Sequence, residues 1–451
     1  MTTASTQPAR GTRDFLPEDV RRREHVISAV RGVYERYGFE PLETPAFENI
    51  ETLLGKYGEE GNKLIFKILR RGEHEASGAA DLALRYDLTV PLARVVARYQ
   101  SALPKFFKRY QIQPVWRADR PARGRFREFY QCDIDAVGST SPTVEAELLA
   151  AVCEALTTLR FDDFVVRLNH RRVLSALLDV HGIPEPQHGD ALVTIDKLDK
   201  VGADQVVMEL SEKGIAAAAA GRLLDAFAAR EDMLGGLAAT LEAHPLGRAA
   251  VAELATIAGL AQATPAAGRI RIDPSLARGL SYYTGAIMEV AVPDLAGSLG
   301  GGGRYDNLVG MFLGREVPAC GFSLGLERII VVMTERRMFP ETVAHAAVDI
   351  MVTLWNELTR ADALALATDL RAAGLRVDVY PESDKLGKQL KYASIRGVPF
   401  VAVVGDDERA RGEVAVKDLR SGGQSTVARG EAPRFVRERL DALRRGGRAD
   451  S

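Results

Sequence analysis

Two runs, KFFKRYQIQPVWRAD (Lys105–Asp119) and REFYQCDIDAVG (Arg127–Gly138), flank a short loop at Pro121–Gly124. They read as two strands of an antiparallel hairpin with a long basic tip, which sets the direction of neighbouring strands in whatever sheet holds them. Five arginines stand between positions 117 and 127, in a chain whose 59 lysines and arginines nearly cancel 61 carboxylates. Alternate residues of a strand share a face, so Arg117 and Asp119 point one way on the first arm, and Arg127, Phe129, Gln131, Asp133 and Asp135 line one face of the second. A face turned only to core would be apolar, because an unpaired buried charge is costly or titrates away. A solvated outer face and a ligand-binding face both satisfy the pattern.

The rest of the chain supplies the context. Apolar residues at helical spacing from Glu18 to Tyr37 (Val20, Ile27, Val30, Val33, Tyr34) predict a helix stopped by Gly38, after which FEPLETP runs extended to Pro45. LTVPLARVVARYQ predicts a helix with Pro91 near its start, and Glu145–Thr158 another. From about 179 to 264 the chain is alanine-rich, helical in period and without a strand. Strand patterns return in RIRIDPSLARGLSYYTGAIMEVAV, with Tyr282 and Tyr283 expected on opposite faces, and a glycine-punctuated strand runs into a helix at CGFSLGLERIIVVM. Beyond Ala344, VDIMVTL, LRVDVYP, FVAVVGD and EVAVKDL alternate with helices at 357–373, 386–396 and 433–444, the pattern of a compact α/β domain. A chain of 451 residues exceeds one core and should divide into two or three domains.

Neither G-x-x-x-x-G-K-[ST] nor G-x-G-x-x-G occurs, so a bound nucleotide must be held by side chains. Arg117, Arg278 and Arg328 come from distant segments in strand or glycine-rich surroundings, and their planar forks suit phosphate oxygens taken two at a time; surface ion pairs are the alternative for each. Gly300–Gly303 is either a flexible turn or a strand against which a ligand lies flat. Three separated cysteines and seven scattered histidines give neither a disulfide framework nor a zinc motif, and a metal is expected to arrive with a substrate. The first residues lack an apolar targeting core and no 18-residue apolar run follows, so a cytosolic protein is expected. With a net charge of −2, contact with RNA must rest on local basic patches.

These segments together resemble class II aminoacyl-tRNA synthetases, and among them the histidyl-tRNA synthetase family, over essentially the full length. The helix and strand ending at Pro45 look like the first class motif, the Arg117 hairpin the second, and GFSLGLER the third. RGLSYYTG and GGGRYDNLVGMF resemble the two segments that mark histidyl enzymes. The resemblance implies a mixed, mainly antiparallel sheet with flanking helices (1–178 and 265–343), a helical insertion (179–264) and a C-terminal α/β anticodon-binding domain (347–445). It implies ATP as substrate with Mg2+ accompanying it and no zinc, L-histidine and tRNA(His) as partners, and a homodimer through the first motif, with no membrane association. By the same resemblance Arg117 takes the α-phosphate, Asp119 the adenine end, Phe126 the adenine face, and Arg125 and Arg328 the β- and γ-phosphates. Asp87, Thr89, Gln131, Asp135, Tyr283 and Tyr305 would hold histidine, and Arg278 would stabilise charge on the α-phosphate. Arg120 and Arg123 would meet the tRNA acceptor end, and Lys385 and Lys388 its backbone elsewhere. Ser281 stands where the family usually has aspartate, and LRYDLTVP looks more like the eukaryotic branch. A non-catalytic histidine-sensing regulatory subunit of an ATP phosphoribosyltransferase shares this fold, but such paralogues typically lack the anticodon domain and the ATP arginines. A ligase for another amino acid is disfavoured by the two histidyl segments.

Overall fold

In a computed structural model the chain folds into two compact units, Met1–Phe339 and Pro340–Ser451. The structure describes residues 5–70, 77–228, 232–277, 282–340, 343 and 348–446, so Arg278 and Ser281 lie outside the described residues.

The first long helix runs Pro17–Arg36, with Pro17 at its first turn and Glu18 and Asp19 beside its positive end. Val26, Ile27, Val30, Val33 and Tyr34 are its buried stripe, and Gly38 follows it with φ +74°, a conformation glycine adopts without strain. Val20, expected in that stripe, is 43% exposed; the helix turns its first turn outward.

In chain order the strands of the first unit are β1 (Glu40–Pro41), β2 (Phe47–Asn49), β3 (Lys67–Leu69), β4 (Ala80–Leu84), β5 (Phe107–Trp116), β6 (Glu128–Val137), β7 (Val165–His170), β8 (Ile270–Ile272), β9 (Ala286–Ala291), β10 (Gly300–Arg304) and β11 (Ala319–Gly325). Eight of them form one sheet in the order β1-β5-β6-β11-β10-β9-β7-β8. Its inner pairings are antiparallel, and only the edge pairs β1–β5 and β7–β8 are parallel. The expected mixed, mainly antiparallel sheet is what forms. The small sheet β2-β4-β3, not anticipated, is built from strands of three to five residues, too short for a period to declare itself.

The hairpin strands are shorter than read. β5 ends at Trp116 and β6 begins at Glu128, leaving Arg117, Asp119 and Arg127 in the connection rather than on strand faces. Tyr282 and Tyr283 precede β9 and are both buried, rather than pointing to opposite faces of a strand. From Arg171 to Ala261 the described chain is helical, and Pro245–Ala261 packs on the helices Arg171–Val180 and Thr143–Thr158.

The second unit has its own sheet, β12 (Ile350–Val352), β13 (Val377–Val379), β14 (Phe400–Val403), β15 (Glu413–Asp418) and β16 (Gln424–Ala428), in the order β13-β12-β14-β15-β16. β13, β12 and β14 run parallel and the last two pairings are antiparallel. Helices Arg360–Ala372 and Ala432–Gly446 pack on this sheet. β16 went unread because no residue in it is fully buried, so its apolar alternation is weak.

Candidate active site

The floor of the main cleft is set by register. Along β6, Gln131, Asp133 and Asp135 lie opposite Gly325, Ser323 and Gly321 of β11, and Ser323 and Gly321 lie opposite Gly301 and Gly303 of β10. Glycines therefore alternate with polar side chains, leaving backbone open to a ligand. At Gly321 a Cβ would come within 1.9 Å of Asp135 Oδ1.

The buried end of the cleft is anionic. Asp87 Oδ1 accepts from the Tyr57 hydroxyl at 3.0 Å and from the Val90 amide at 3.0 Å, so it also caps the helix Thr89–Tyr99. Burial pushes the Asp87 carboxyl above the usual range, against the pull of the Val90 amide, Arg117 and Tyr57. Asp135 Oδ1 accepts from the Tyr305 hydroxyl, and its Oδ2 lies 2.7 Å from Arg109 Nη2. Burial raises this carboxyl too, and Arg109 opposes the rise. Burial holds Asp133 up to about 7, with Arg109 pulling it down and Asp135 pushing it up. Gln131 joins the groups: its Nε2 donates to Ser323 Oγ at 2.7 Å and its Oε1 accepts from Arg117 at 3.2 Å. The Tyr282 ring stands 5.0 Å from that of Tyr283 and 6.1 Å from that of Tyr305.

The exposed end is cationic. Arg117 donates through Nε to the Tyr86 carbonyl oxygen at 3.0 Å and lies 4.3 Å from the Tyr86 ring, which aims its fork into the cleft. Arg125 follows a tight turn closed by reciprocal backbone bonds with Ala122. It is half exposed and bonds Asp119 at 2.9 Å, so an anion reaching Arg125 competes with that carboxylate. Gly124, at φ +67°, lets the tip approach Arg328, whose Cγ would lie 3.3 Å from a Cβ there. Arg328, on the helix Leu326–Glu335, donates to the Ser298 carbonyl oxygen.

One cleft, with a cavity volume of about 250 Å³, is lined by Asp87, Thr89, Arg117, Asp119, Arg125, Phe126, Gln131, Asp135, Tyr283, Tyr305 and Arg328. All the residues singled out for ATP and histidine, apart from Arg278, therefore converge. Arg120 and Arg123 do not line it; both are exposed, and Arg123 pairs with Glu335 and the Asp294 carbonyl. In the second unit Lys385 is exposed and Lys388 bonds Asp384 at 2.7 Å. Among the described residues no group of three or more His, Cys, Asp or Glu could hold a metal ion.

Sequence reasoning assigned no role to four participants. Asp133 lies on the face that alternation shares among Gln131, Asp133 and Asp135, but only the other two were given a ligand by the resemblance. Glu327 lines the cleft and is fixed by Arg23 at 2.8 Å and the Tyr130 amide at 2.9 Å. The Arg13 guanidinium lies 3.3 Å from the centre of the Phe126 ring, covering one face of it. Arg109 lies wholly buried beneath the floor. Glu327 stands inside GFSLGLER, a segment singled out for its arginine, and no local signal marks Arg13 or Arg109.

A family model described as histidyl-tRNA synthetase matches residues 11–329, and one described as anticodon binding domain matches residues 347–439. The chain is similar to the histidine–tRNA ligase of Christiangramia forsetii, 40% identical over 93% of this chain and 96% of that one. It is also similar to that of Gloeobacter violaceus, 41% identical over 95% and 98%. Among solved structures, the histidyl-tRNA synthetase of Nostoc sp. PCC 7120 matches with a TM-score of 0.81 at 32% identity, covering 97% of this chain and 100% of that one.

Proposed function

Because the chain belongs to the histidyl-tRNA synthetase family, we infer that it is a histidine–tRNA ligase, which activates L-histidine with ATP and passes it to the 3′ end of tRNA(His). The observation that carries the reading at the level of the site is the polarity of the cleft. Arginines stand at the open end, where a triphosphate enters, and buried carboxylates with tyrosine hydroxyls stand at the closed end, where an ammonium and an imidazole need acceptors.

In the first step the histidine carboxylate attacks the α-phosphorus in line and pyrophosphate leaves. The enzyme's task is to bring two anions together and stabilise the charge that builds between them. Arg117 takes the α-phosphate, with Arg278 stabilising the same centre. Arg125 and Arg328 take the outer phosphates, and Asp119 the adenine end. Phe126 stacks on adenine with its remaining face, the other being covered by Arg13. Asp87, Thr89, Gln131 and Asp135 receive the α-ammonium and the other polar ends of histidine, while Tyr283 and Tyr305 receive the imidazole. A pocket of this kind rejects analogues that cannot return its hydrogen bonds, because its buried polar groups would be left unpaired. Mg2+ belongs to the nucleotide as it enters, and the phosphate oxygens would supply most of its ligands.

The second step moves the histidyl group from the adenylate to the terminal ribose hydroxyl of tRNA, with a positioned proton acceptor. Arg120 and Arg123 sit on the tip beside the cleft mouth and suit the acceptor end; a phosphate at Arg123 would replace Glu335. The second unit, 347–445, reads the anticodon, with Lys385 and Lys388 on the backbone, and 179–264 is a helical insertion. A homodimer through the first motif belongs to the same reading. The exposed Phe47 and Leu69, on the small sheet, are apolar surface that a second copy would cover. No helix among the described residues is long and apolar enough to cross a membrane, and cytoplasmic residence is proposed with the rest.

ATP–pyrophosphate exchange with each of the twenty amino acids tests the reading. Exchange with histidine alone, abolished by Arg278→Ala, is expected. Histidine binding without exchange would instead favour the regulatory paralogue.

A further inference from the structure

Beneath the cleft lies a cation to which neither step assigns a task. Arg109 has no solvent exposure and stands in register opposite Asp135. Its Nη2 lies 2.7 Å from Asp135 Oδ2 and donates to the Leu88 carbonyl oxygen at 3.2 Å, so one guanidinium ties β6 to the turn that carries Asp87 and Thr89. Its Nε and Nη1 have no hydrogen-bond partner among the described residues. Two carboxylates feel its charge, Asp135 and Asp133, and a third, Asp87, repels Asp133 from beside them with Arg117 as its own attracting cation; each of the three is 2% exposed.

Asp133 and Asp135 cannot both ionise readily against the one buried cation they share, because each added charge is desolvated and repelled by the other and, for Asp133, by Asp87. Asp135 has the close ion pair. Asp133 has weaker partners: Gln131 Nε2 at 3.3 Å on its own strand and Ser323 on β11, with Arg109 from β5 attracting and the charges of Asp135 and Asp87 repelling. Asp133 is therefore the member that keeps a proton most readily near neutral pH.

We propose that Arg109 is a positioning residue that holds Asp135 as the standing anion of the amino-acid pocket, while Asp133 carries a proton that leaves when the cationic end of histidine binds. The proposal rests on the reading that these carboxylates line the histidine pocket. It makes histidine binding a proton-releasing event and makes the pocket tighter as pH rises through neutrality. The incoming cation supplies the second positive charge that Asp133 lacks in the free enzyme.

Titration calorimetry with L-histidine on the full chain tests this, run at pH 7 in two buffers of different ionisation enthalpy. With Asp133 titrating at about 7, the wild type should release about half a proton more per histidine than Asp133→Asn. The imidazole's own titration is common to both proteins, so the difference belongs to Asp133. Equal proton counts in two proteins that both bind overturn the proposal. Failure of the wild type to bind histidine overturns the pocket reading and this proposal with it. For Arg109, the Met variant should bind histidine at least about tenfold more weakly, with ATP affinity unchanged and part of the loss restored by Arg109→Lys. Unchanged histidine affinity in folded Arg109→Met would refute its role, and Asp133→Asn, nearly isosteric, serves as the test should the buried arginine prove necessary for folding.

Discussion

Gly321 gives the sharpest test of how the floor works. It faces Asp135 across the β11–β6 pairing, and a Cβ there would lie 1.9 Å from Asp135 Oδ1 and 2.9 Å from the Ile134 carbonyl oxygen. The Ile134 backbone is locked, since β6 is bonded to β5 on one side and β11 on the other. In Gly321→Ala the carboxylate must therefore rotate, and the oxygen displaced is the one that accepts from the Tyr305 hydroxyl. Losing a hydrogen bond to a charged group costs about 1.5–3 kcal/mol, or about 10- to 150-fold in kcat/KM for histidine. ATP–pyrophosphate exchange with histidine and ATP varied separately would read it, and the KM for ATP should stay within about twofold because the phosphate arginines are untouched. Tyr305→Phe removes the same bond without the clash, so the two losses should overlap rather than add in the double variant. A folded Gly321→Ala with wild-type histidine kinetics would refute the assignment of Asp135 to the amino acid.

Other expectations follow from the same geometry. Phe126→Ala should raise the KM for ATP by about tenfold, base–aromatic stacking being worth about 1–3 kcal/mol, with histidine affinity measured without ATP unchanged; a shift in the latter would tell against the division of the cleft. The buried pair Arg304–Glu145, bonded at 2.6 and 2.9 Å, holds the strand that leads into Tyr305, and Glu145→Ala should lower unfolding stability by about 3–5 kcal/mol in urea titration. Asp133 is raised from 3.8 to about 7 by burial first, so between those values the folded chain keeps a proton that the unfolded chain has lost. Its contribution is full below that window and is lost as pH rises through it; Asp133→Asn should therefore raise the melting temperature more at pH 8 than at pH 5, and equal shifts would refute the sign. Replacing Lys385 and Lys388 by alanine should weaken tRNA binding and flatten its salt dependence while leaving histidine-dependent exchange intact.

How much of this was legible depended on whether the signal was local. Alternation along β6 put Gln131, Asp133 and Asp135 on one face, while Gly300–Gly303 read equally as a flexible turn or a strand beneath a ligand until the pairing of β10 with β11 decided it. The converging arginines could be named because each sits in a segment with its own pattern. The ends of the hairpin strands were not legible: Arg117 and Asp119 continue the alternation of β5, and Arg117 N–H still bonds the Arg127 carbonyl in register, but Ala118 N–H leaves the hairpin to bond the carbonyl of Leu64. The stacking of Arg13 on Phe126 joins residues more than a hundred positions apart, and nothing in GTRDFLP predicts it.

Arg109 shows why the remainder was out of reach. In KFFKRY it looks like one more basic residue beside Lys108, yet Lys108 reaches the Tyr37 carbonyl and Glu147 at the half-exposed rim while Arg109 is sealed beneath the cleft. What separates them is the pleat: neighbours on a strand face opposite ways, and the register of β5 against β6 decides which carboxylate each meets. The same register carries the polar row Gln111, Asp133, Ser323, Gly301, Glu289 and Arg167 across six strands, beside a row in which Asp135 meets Gly321 and Gly303. One row supplies charge and the other supplies room, and neither exists until strands distant in sequence are paired. A one-residue slip between β5 and β6 would bring Lys108 or Tyr110 opposite Asp135 and leave that carboxylate without its buried guanidinium, so the pocket's charge is a property of the pairing rather than of any single motif.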